Sequence, residues 1–272
     1  MDERRIRIPD LKRKKQRGEK IAVLTAYDAT MARLLDRAGV DALLVGDSLG
    51  TVILGHETTL QVTLDAVVHH TRAVARGASR ALVIADMPFL TYQVSTSEAV
   101  RNAGRLLQEG GASAVKLEGG RVVLDVVERL VAIGIPVIGH LGLQPQSVHQ
   151  AGGYVKQATN QTSADALVSD AVALERAGAF AIVLESIPAD VARAVTSRLA
   201  IPTIGIGAGP DCDGQVLVSY DMLGMFEGAV PSFVKEYAQL GTAIGDAARS
   251  YVEEVRAGRY PTVPAAPAVT AR

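Results

Sequence analysis

Two features of this 272-residue chain predict an α/β fold of the (β/α)8 TIM-barrel class. Eight short apolar runs alternate with segments of helical spacing, most of which close on a glycine. The runs are apolar throughout, as is typical of parallel strands that are buried on both faces. Since one such barrel takes roughly 250 residues, we expect a single domain with an N-terminal extension.

The predicted strands are short and most end in polar residues. They cover residues 21–25, 42–45, 81–86, 114–118, 135–140, 181–185, 201–205 and 215–218. Helical spacing marks residues 31–38, 64–77, 95–107, 122–131, 163–174, 191–199, 233–238 and 243–255. Residues 145–160 contain Gly152-Gly153 and little periodicity, which predicts a functional loop or short extra elements.

The limits of the domain follow from composition. Residues 1–20 are a basic N-terminal leader or helix, residues 21–260 the barrel, and the Pro/Ala-rich residues 261–272 are expected to be a disordered tail. Within the leader, Lys12-Arg13-Lys14-Lys15 is expected to be a solvated helix face, because no aromatic residues interleave it.

Charge and hydropathy exclude several classes of partner. Basic and acidic residues number 28 and 29, so we expect no nucleic acid to bind. No apolar run approaches the roughly 18–20 residues of a membrane span, and no hydrophobic signal follows Met1–Arg5. The single cysteine, Cys212, excludes an intrachain disulfide and a Cys-rich metal site. We therefore expect a cytoplasmic protein that acts on small molecules.

A doubly wound open sheet is the alternative fold. Its phosphate-binding glycines would follow the first strand, where this chain has Thr25-Ala26-Tyr27-Asp28 instead. The barrel is therefore favoured.

Charged side chains stand at the ends of several strands, which is the face where barrels carry their chemistry. The carboxylates are Asp47, Asp86, Glu118 and Glu185, and Lys116 shares a strand face with Glu118. Converging acids repel each other unless a cation joins them. Oxygen ligands of this kind suit Mg²⁺.

Each of these residues also has a structural interpretation. Asp47 could cap the next segment through Ser48, Asp86 could form an Asx-turn, and Glu185 could cap the next helix. His140 remains open between a core histidine and a site residue. For the Gly205–Gly209 loop we favour tight backbone packing over a phosphate cradle. Asp28 and Asp221 are expected to be structural.

Six ordered blocks of the sequence resemble the ketopantoate hydroxymethyltransferase family. The blocks are residues 44–50, 86–89, 110–120, 139–146, 184–185 and 204–209. The resemblance runs from about Thr25 to Phe233, and residues 235–260 are also similar. Residues 90–93 and 231–233 depart from the family, at positions that we expect to lie away from the chemistry.

The resemblance implies a (β/α)8 enzyme of pantothenate biosynthesis. Such an enzyme transfers a hydroxymethyl group from 5,10-methylenetetrahydrofolate to 3-methyl-2-oxobutanoate and forms 2-dehydropantoate (ketopantoate). Mg²⁺ and a homodecamer are also implied.

Residue roles carry over at the matching positions. The metal ligands are Asp47, Asp86 and Glu118, the ketoacid contacts are Asp47, Ser48, Asp86 and Lys116, and Glu185 is the general base. His140 is a secondary candidate.

A Mg²⁺-dependent aldolase or lyase acting on another 2-ketoacid is the alternative enzyme. A barrel that only binds metal and ketoacid is disfavoured, because binding alone needs no base at Glu185.

Overall fold

Eight parallel strands close into one barrel in chain order, β1 to β8, in the computed structural model, which describes residues 4–226, 228 and 230–262. The strands are β1 Ile21–Thr25, β2 Ala42–Val45, β3 Leu82–Asp86, β4 Ala114–Glu118, β5 Val137–Gly142, β6 Ala181–Glu185, β7 Thr203–Ile206 and β8 Gly214–Leu217. Each strand pairs in parallel with the next, and β8 pairs with β1. The predicted (β/α)8 fold is confirmed.

Helices occupy most of the predicted positions between the strands. They are α1 Ile8–Arg17, α2 Ala29–Ala38, α3 Leu49–Val52, α4 Leu64–Gly77, α5 Thr96–Gln108, α6 Leu124–Ala132, α7 Val148–Ala151, α8 Gln161–Arg176, α9 Ala189–Arg198, α10 Ser219–Met222 and α11 Leu240–Arg256. Three-residue 3₁₀ helices cover Thr59–Gln61, Arg121–Val123 and Pro145–Ser147. The Asp28 carboxylate accepts the N–H groups of Thr30 and Met31 and caps α2, so its predicted structural role is confirmed.

Two strands begin two residues later than predicted, and both shifts have the same cause. Pro136 and Pro202 precede β5 and β7 and lack the N–H that a strand donates to its neighbour. Their carbonyls still accept, from the N–H groups of Val115 and Ile182. Strand β5 also continues two residues past His140, to Gly142.

The predicted helix over residues 233–238 is wrong. The segment is irregular, and the Tyr237 N–H donates to the Met222 carbonyl rather than to a carbonyl one turn earlier. Phe233 and Tyr237 are both exposed, so no buried face holds these residues helical. Helix α11 follows and is longer than predicted.

Helix α1 lies across the amino end of the barrel. Its Leu11 is buried in the core cluster formed by the strands. Lys14 Nζ lies 2.8 Å from Asp41 Oδ1, and Lys15 Nζ lies 2.8 Å from Asp213 Oδ2. The predicted helix is confirmed, but these two lysines are not part of a solvated face, because each pairs with an acid that precedes a strand.

The chain forms two compact units, residues 1–219 and 220–272, and the barrel lies in the first. The predicted limits of residues 1–20, 21–260 and 261–272 remain predictions, and residues 263–272 lie outside the described part. Among the described helices, none combines the length and the apolar composition that crossing a bilayer requires.

A buried carboxylate joins α2 to the loop before β3. Asp36 accepts hydrogen bonds from Ser79 N and Oγ, Arg80 N and Ala81 N at 2.6–3.2 Å. Burial acts to raise the pKa of this carboxyl, but the hydrogen bonds, led by that from Ala81, hold it below its ordinary 3.8. The charged form of Asp36 therefore stabilises the fold.

Replacing Asp36 with asparagine is expected to lower the free energy of unfolding at neutral pH by about 2–3 kcal/mol, because charge-assisted hydrogen bonds are lost. Because the pKa of Asp36 is lower in the folded protein than its ordinary value of 3.8, its charge stabilises the folded state at pH values above 3.8. This contribution is lost as the pH falls through the pKa of Asp36 in the folded protein. The difference between the two proteins in urea unfolding should therefore shrink in acid. Asp65→Asn, at an exposed ion pair with Arg105, is the control; a pH-independent difference would contradict this account.

Candidate active site

Side-chain alternation along the strands builds a charged cluster inside the barrel. Four inward residues belong to the apolar core: Ile84, Ala114, Ile138 and Val183. Two residues further along the same strands, on the same face, come Asp86, Lys116, His140 and Glu185, and Glu118 follows Lys116 by two. All five therefore point into the carboxyl end of the barrel.

The strand register makes these residues neighbours. Asp86 pairs with Lys116, and Glu118 pairs with His140. Lys116 Nζ lies 3.2 Å from Asp86 Oδ1 and 3.9 Å from Glu118 Oε1. The ammonium therefore lies between two carboxylates from adjacent strands.

Asp47 joins the cluster from the loop after β2. Its backbone N–H donates to Asp86 Oδ2 at 2.9 Å. The adjacent Ser48 hydroxyl lies 2.8 Å from the Tyr27 hydroxyl and makes no capping bond to α3. Both side chains face other strand ends, so the capping interpretation of Asp47 and Ser48 is wrong.

Asp86 and Glu185 also lack the structural roles considered for them. The Asp86 carboxylate binds Asp47 N, 39 residues away, and forms no local turn. Helix α9 begins after Pro188 without a side-chain cap. Neither carboxylate is accounted for by capping.

His140 links the two sides of the cluster. Its Nδ1 lies 3.4 Å from Glu118 Oε1 and 3.2 Å from Lys116 Nζ, and its Nε2 lies 3.1 Å from Glu185 Oε2. Of the two interpretations left open for His140, the structure supports a place in the site.

Burial and mutual repulsion shift the protonation of the aspartates. Burial raises the pKa of Asp47 to about 8, and the nearby Asp86 and Glu118 carboxylates add to this effect. Burial also raises the pKa of Asp86, against the opposing charge of Lys116. A cation at this position would favour the ionised form of both acids.

The remaining charges are set by their partners. Burial lowers the pKa of Lys116, but the three surrounding carboxylates raise it more, so the ammonium stays charged. Burial raises the pKa of Glu118, but His140, Lys116 and the Gln146 N–H together hold it below its ordinary value. Burial and Lys116 lower the pKa of His140, yet Glu118 and Glu185 outweigh them and raise it to about 9.

Backbone geometry at the end of β6 holds Glu185 in a defined place. Ser186, the next residue, has φ +49°, which a non-glycine residue rarely adopts. Gly142 of β5 passes so close that a Cβ there would lie 2.2 Å from the Glu185 carbonyl oxygen. That carbonyl accepts the Leu143 N–H, and the Ser186 carbonyl accepts the Gln157 N–H.

Two residues that sequence reasoning missed, Gln146 and Tyr92, contact the cluster directly. The Gln146 amide donates to Asp47 Oδ2 at 2.8 Å, and its backbone N–H donates to Glu118 Oε2 at 3.0 Å. The Tyr92 hydroxyl lies 3.1 Å from the Glu118 backbone N.

Residues 90–93 were expected to lie away from the chemistry, and Tyr92 contradicts this. The only sequence signal for Gln146 was its place at the end of the block 139–146.

The donor set can be tested against a hard divalent ion. Among the described residues, no group of three or more His, Cys, Asp or Glu side chains is already arranged to hold a metal. The Lys116 ammonium lies 3.2 Å from Asp86 Oδ1 and 3.9 Å from Glu118 Oε1. Within the same part of the chain, the buried atoms Asp86 Oδ1 and Glu118 Oε1 accept no hydrogen bond. Mg²⁺ is usually held by one or two carboxylates together with substrate oxygens. Two of these carboxylate oxygens would fit Mg²⁺ if oxygens of the substrate and water completed the coordination.

The Gly205–Gly209 loop is tightly packed. A Cβ at Gly209 would lie 2.5 Å from the Ala189 Cβ, and one at Gly205 would lie 3.0 Å from Cys212 Sγ. These approaches support backbone packing as the reason for the glycines.

The fold and the cluster define the class of protein: a (β/α)8 barrel with a buried charged site at the carboxyl ends of its strands, where barrel enzymes place their chemistry. A model of the ketopantoate hydroxymethyltransferase family matches residues 5–263. The chain belongs to this family.

Relatives in that family cover nearly the whole chain. The 3-methyl-2-oxobutanoate hydroxymethyltransferase of Syntrophus aciditrophicus is 58% identical over 247 residues, 91% of each chain. That of Pelobacter propionicus is 54% identical over 259 residues, 95% of this chain and 96% of its own.

Solved structures share the fold at low identity. Phosphonopyruvate hydrolase, crystallised with oxalate and Mg²⁺, superposes with a TM-score of 0.63 at 16% identity, over 97% of this chain and 92% of its own. A 2,3-dimethylmalate lyase gives 0.61 at 19% identity, over 94% and 87%. These likenesses support the barrel fold alone.

Proposed function

We propose that this chain transfers a hydroxymethyl group from 5,10-methylenetetrahydrofolate to 3-methyl-2-oxobutanoate and forms ketopantoate. The observation that carries the proposal is the buried cluster of Lys116 with its surrounding acids beside Glu185, in a member of this family. The 2-ketoacid offers a carboxylate and a keto oxygen to this cluster.

Lys116 is proposed to bind the ketoacid. Its charged ammonium lies 3.2 Å from Asp86 Oδ1, and both side chains are buried. Electrostatic attraction is strong in such a low-dielectric environment. The Ser48 hydroxyl, held by Tyr27, can donate a further hydrogen bond to the substrate.

Glu185 is proposed to remove the proton from C3 of the ketoacid. The C3–H bond breaks, the proton moves to the Glu185 carboxylate, and the electron pair forms the enolate. Water adds to the methylene carbon of the folate, both of its C–N bonds break, and tetrahydrofolate leaves with the two protons of the water. C3 then bonds to the carbonyl carbon of the formaldehyde so formed, and the proton held by Glu185 passes to its oxygen to give the hydroxyl. His140, 3.1 Å from Glu185 Oε2, orients the carboxylate.

Asp47, Asp86 and Glu118 are proposed to hold Mg²⁺. Once bound, the ion supplies a Lewis acid that stabilises negative charge developing on the keto oxygen. Family resemblance further suggests a homodecamer in the cytoplasm.

The test is ketopantoate formation by the purified full-length chain. With Mg²⁺ and 3-methyl-2-oxobutanoate, we expect product only when methylenetetrahydrofolate is supplied. A chelator should abolish the reaction, and restored Mg²⁺ should recover it. If free formaldehyde supports equal turnover without folate, or if only another 2-ketoacid reacts, the aldolase or lyase alternative takes its place.

A further inference from the structure

We propose that Gln146 and Tyr92 are positioning residues that hold Asp47 and Glu118 at the spacing needed for a divalent cation. The proposal rests on the metal site of the proposed function and goes beyond it, because neither residue is itself a candidate ligand or base. Its evidence is a chain of hydrogen bonds between the two carboxylate residues.

The orientation of the Gln146 amide is fixed by one neighbour. The Met87 carbonyl can only accept, so the Gln146 atom 2.9 Å from it must be the NH₂ group. The same NH₂ group donates its second proton to Asp47 Oδ2 at 2.8 Å. The Gln146 Oε1 therefore faces the Tyr92 hydroxyl, 2.8 Å away, and accepts its proton.

The Tyr92 hydroxyl completes the connection. Besides its contact with Gln146, it accepts the Glu118 backbone N–H at 3.1 Å and lies 3.1 Å from the Glu118 carbonyl oxygen, a second acceptor for its proton. A second link runs in parallel, since the Gln146 backbone N–H donates to Glu118 Oε2 at 3.0 Å. A single residue after β5 thus contacts the carboxylates of Asp47, from the loop after β2, and Glu118, from β4.

This bridge leaves the second oxygen of Glu118 facing the charged cluster. With Oε2 bound to Gln146, Glu118 presents Oε1, which within the described part of the chain accepts no hydrogen bond and lies 3.4 Å from His140 Nδ1 and 3.9 Å from Lys116 Nζ. A cation bound to Oε1 would take the place of these ion-pair contacts. Once a cation has ionised Asp47, its repulsion with Glu118 would favour their separation if the bridge were absent. Partners that orient metal ligands in this way typically account for 10–100-fold in metal affinity.

Two variants separate positioning from packing. Gln146→Met keeps the length of the side chain and removes the hydrogen bonds of its amide, while its backbone N–H remains. Tyr92→Phe keeps the ring, which is buried, and removes only the hydroxyl. Gln157→Ala is the matched control: its side-chain amide donates to the Val155 carbonyl, and the substitution keeps the backbone N–H that binds the Ser186 carbonyl.

The experiment measures Mn²⁺ binding to the full-length chain by electron paramagnetic resonance, without substrate. We expect each variant to bind Mn²⁺ about 10–100-fold more weakly and Gln157→Ala to bind it as the wild type does. Gln146 and Tyr92 follow one another in the same chain of hydrogen bonds between Asp47 and Glu118. The double variant should therefore bind Mn²⁺ no more weakly than whichever of the two single variants binds it more weakly. Saturating Mg²⁺ should restore kcat, so the effect falls on the KM for Mg²⁺.

Several results would overturn the proposal. Unchanged Mn²⁺ affinity in both variants, even with lower thermal stability in EDTA, would assign the bridge a packing role only. A wild-type chain that binds no Mn²⁺ would remove the site itself. The proposed function fails separately, if wild-type protein binds Mn²⁺ with the expected dependence on Gln146 but forms no ketopantoate.

Discussion

Replacing Glu185 with glutamine is expected to slow exchange of the C3 proton of 3-methyl-2-oxobutanoate by about 10²–10⁴-fold, the usual contribution of a positioned general base. Glutamine has nearly the same shape and can still lie beside His140, but it cannot take a proton. The measurement is loss of the C3 proton signal in D₂O with Mg²⁺, followed by nuclear magnetic resonance. Because no folate is needed, the experiment isolates proton removal from group transfer.

The control for this variant is Glu128→Gln, on the exposed face of α6. It changes the same functional group and should leave the exchange rate unchanged. Undiminished exchange in Glu185→Gln would remove Glu185 as the base, whatever the activity of the wild type.

Replacing Lys116 with alanine is expected both to weaken ketoacid binding and to destabilise the fold. Its ammonium lies within 4 Å of the carboxylates of Asp86 and Glu118, and all three side chains are buried. Removing one partner from a buried ionic cluster typically costs about 3–5 kcal/mol, since the other charges remain without compensation. Steady-state kinetics should show a raised KM for the ketoacid, and urea unfolding should show the lost stability.

Lys156→Ala, in the exposed loop before α8, is the control for the lost charge. It should change neither measurement. If Lys116→Ala retains the wild-type KM and kcat, Lys116 is not part of the ketoacid site.

Strand alternation explains why so much of the site could be predicted. Asp86, Lys116, Glu118 and Glu185 end apolar strands, and a charge in that position is costly without a partner. Eight strands of one barrel bring such residues together whatever their distance along the chain. The role of His140 was ambiguous, because the sequence around a single histidine on an apolar strand does not indicate which side chains it will contact.

The contacts of Gln146 and Tyr92 with the site could not be predicted, because neither residue ends a strand. Neither carries a charge, and both lie in loops without periodicity. The contact from Gln146 to Asp47 spans 99 residues, and it depends on where the loop after β5 comes to lie. Likewise, Lys14 and Lys15 belong to a basic run, and only the position of α1 showed which acids they meet.

The depth of the cluster imposes an order on the proposed reaction. The side chains of Asp86, Lys116, Glu118 and His140 are at most 5% exposed, whereas that of Glu185 is 18% exposed. A ketoacid bound to Lys116 would lie deeper than Glu185, and a folate entering from the carboxyl end of the barrel would cover it. We therefore expect the ketoacid to bind before the one-carbon donor and ketopantoate to leave after tetrahydrofolate.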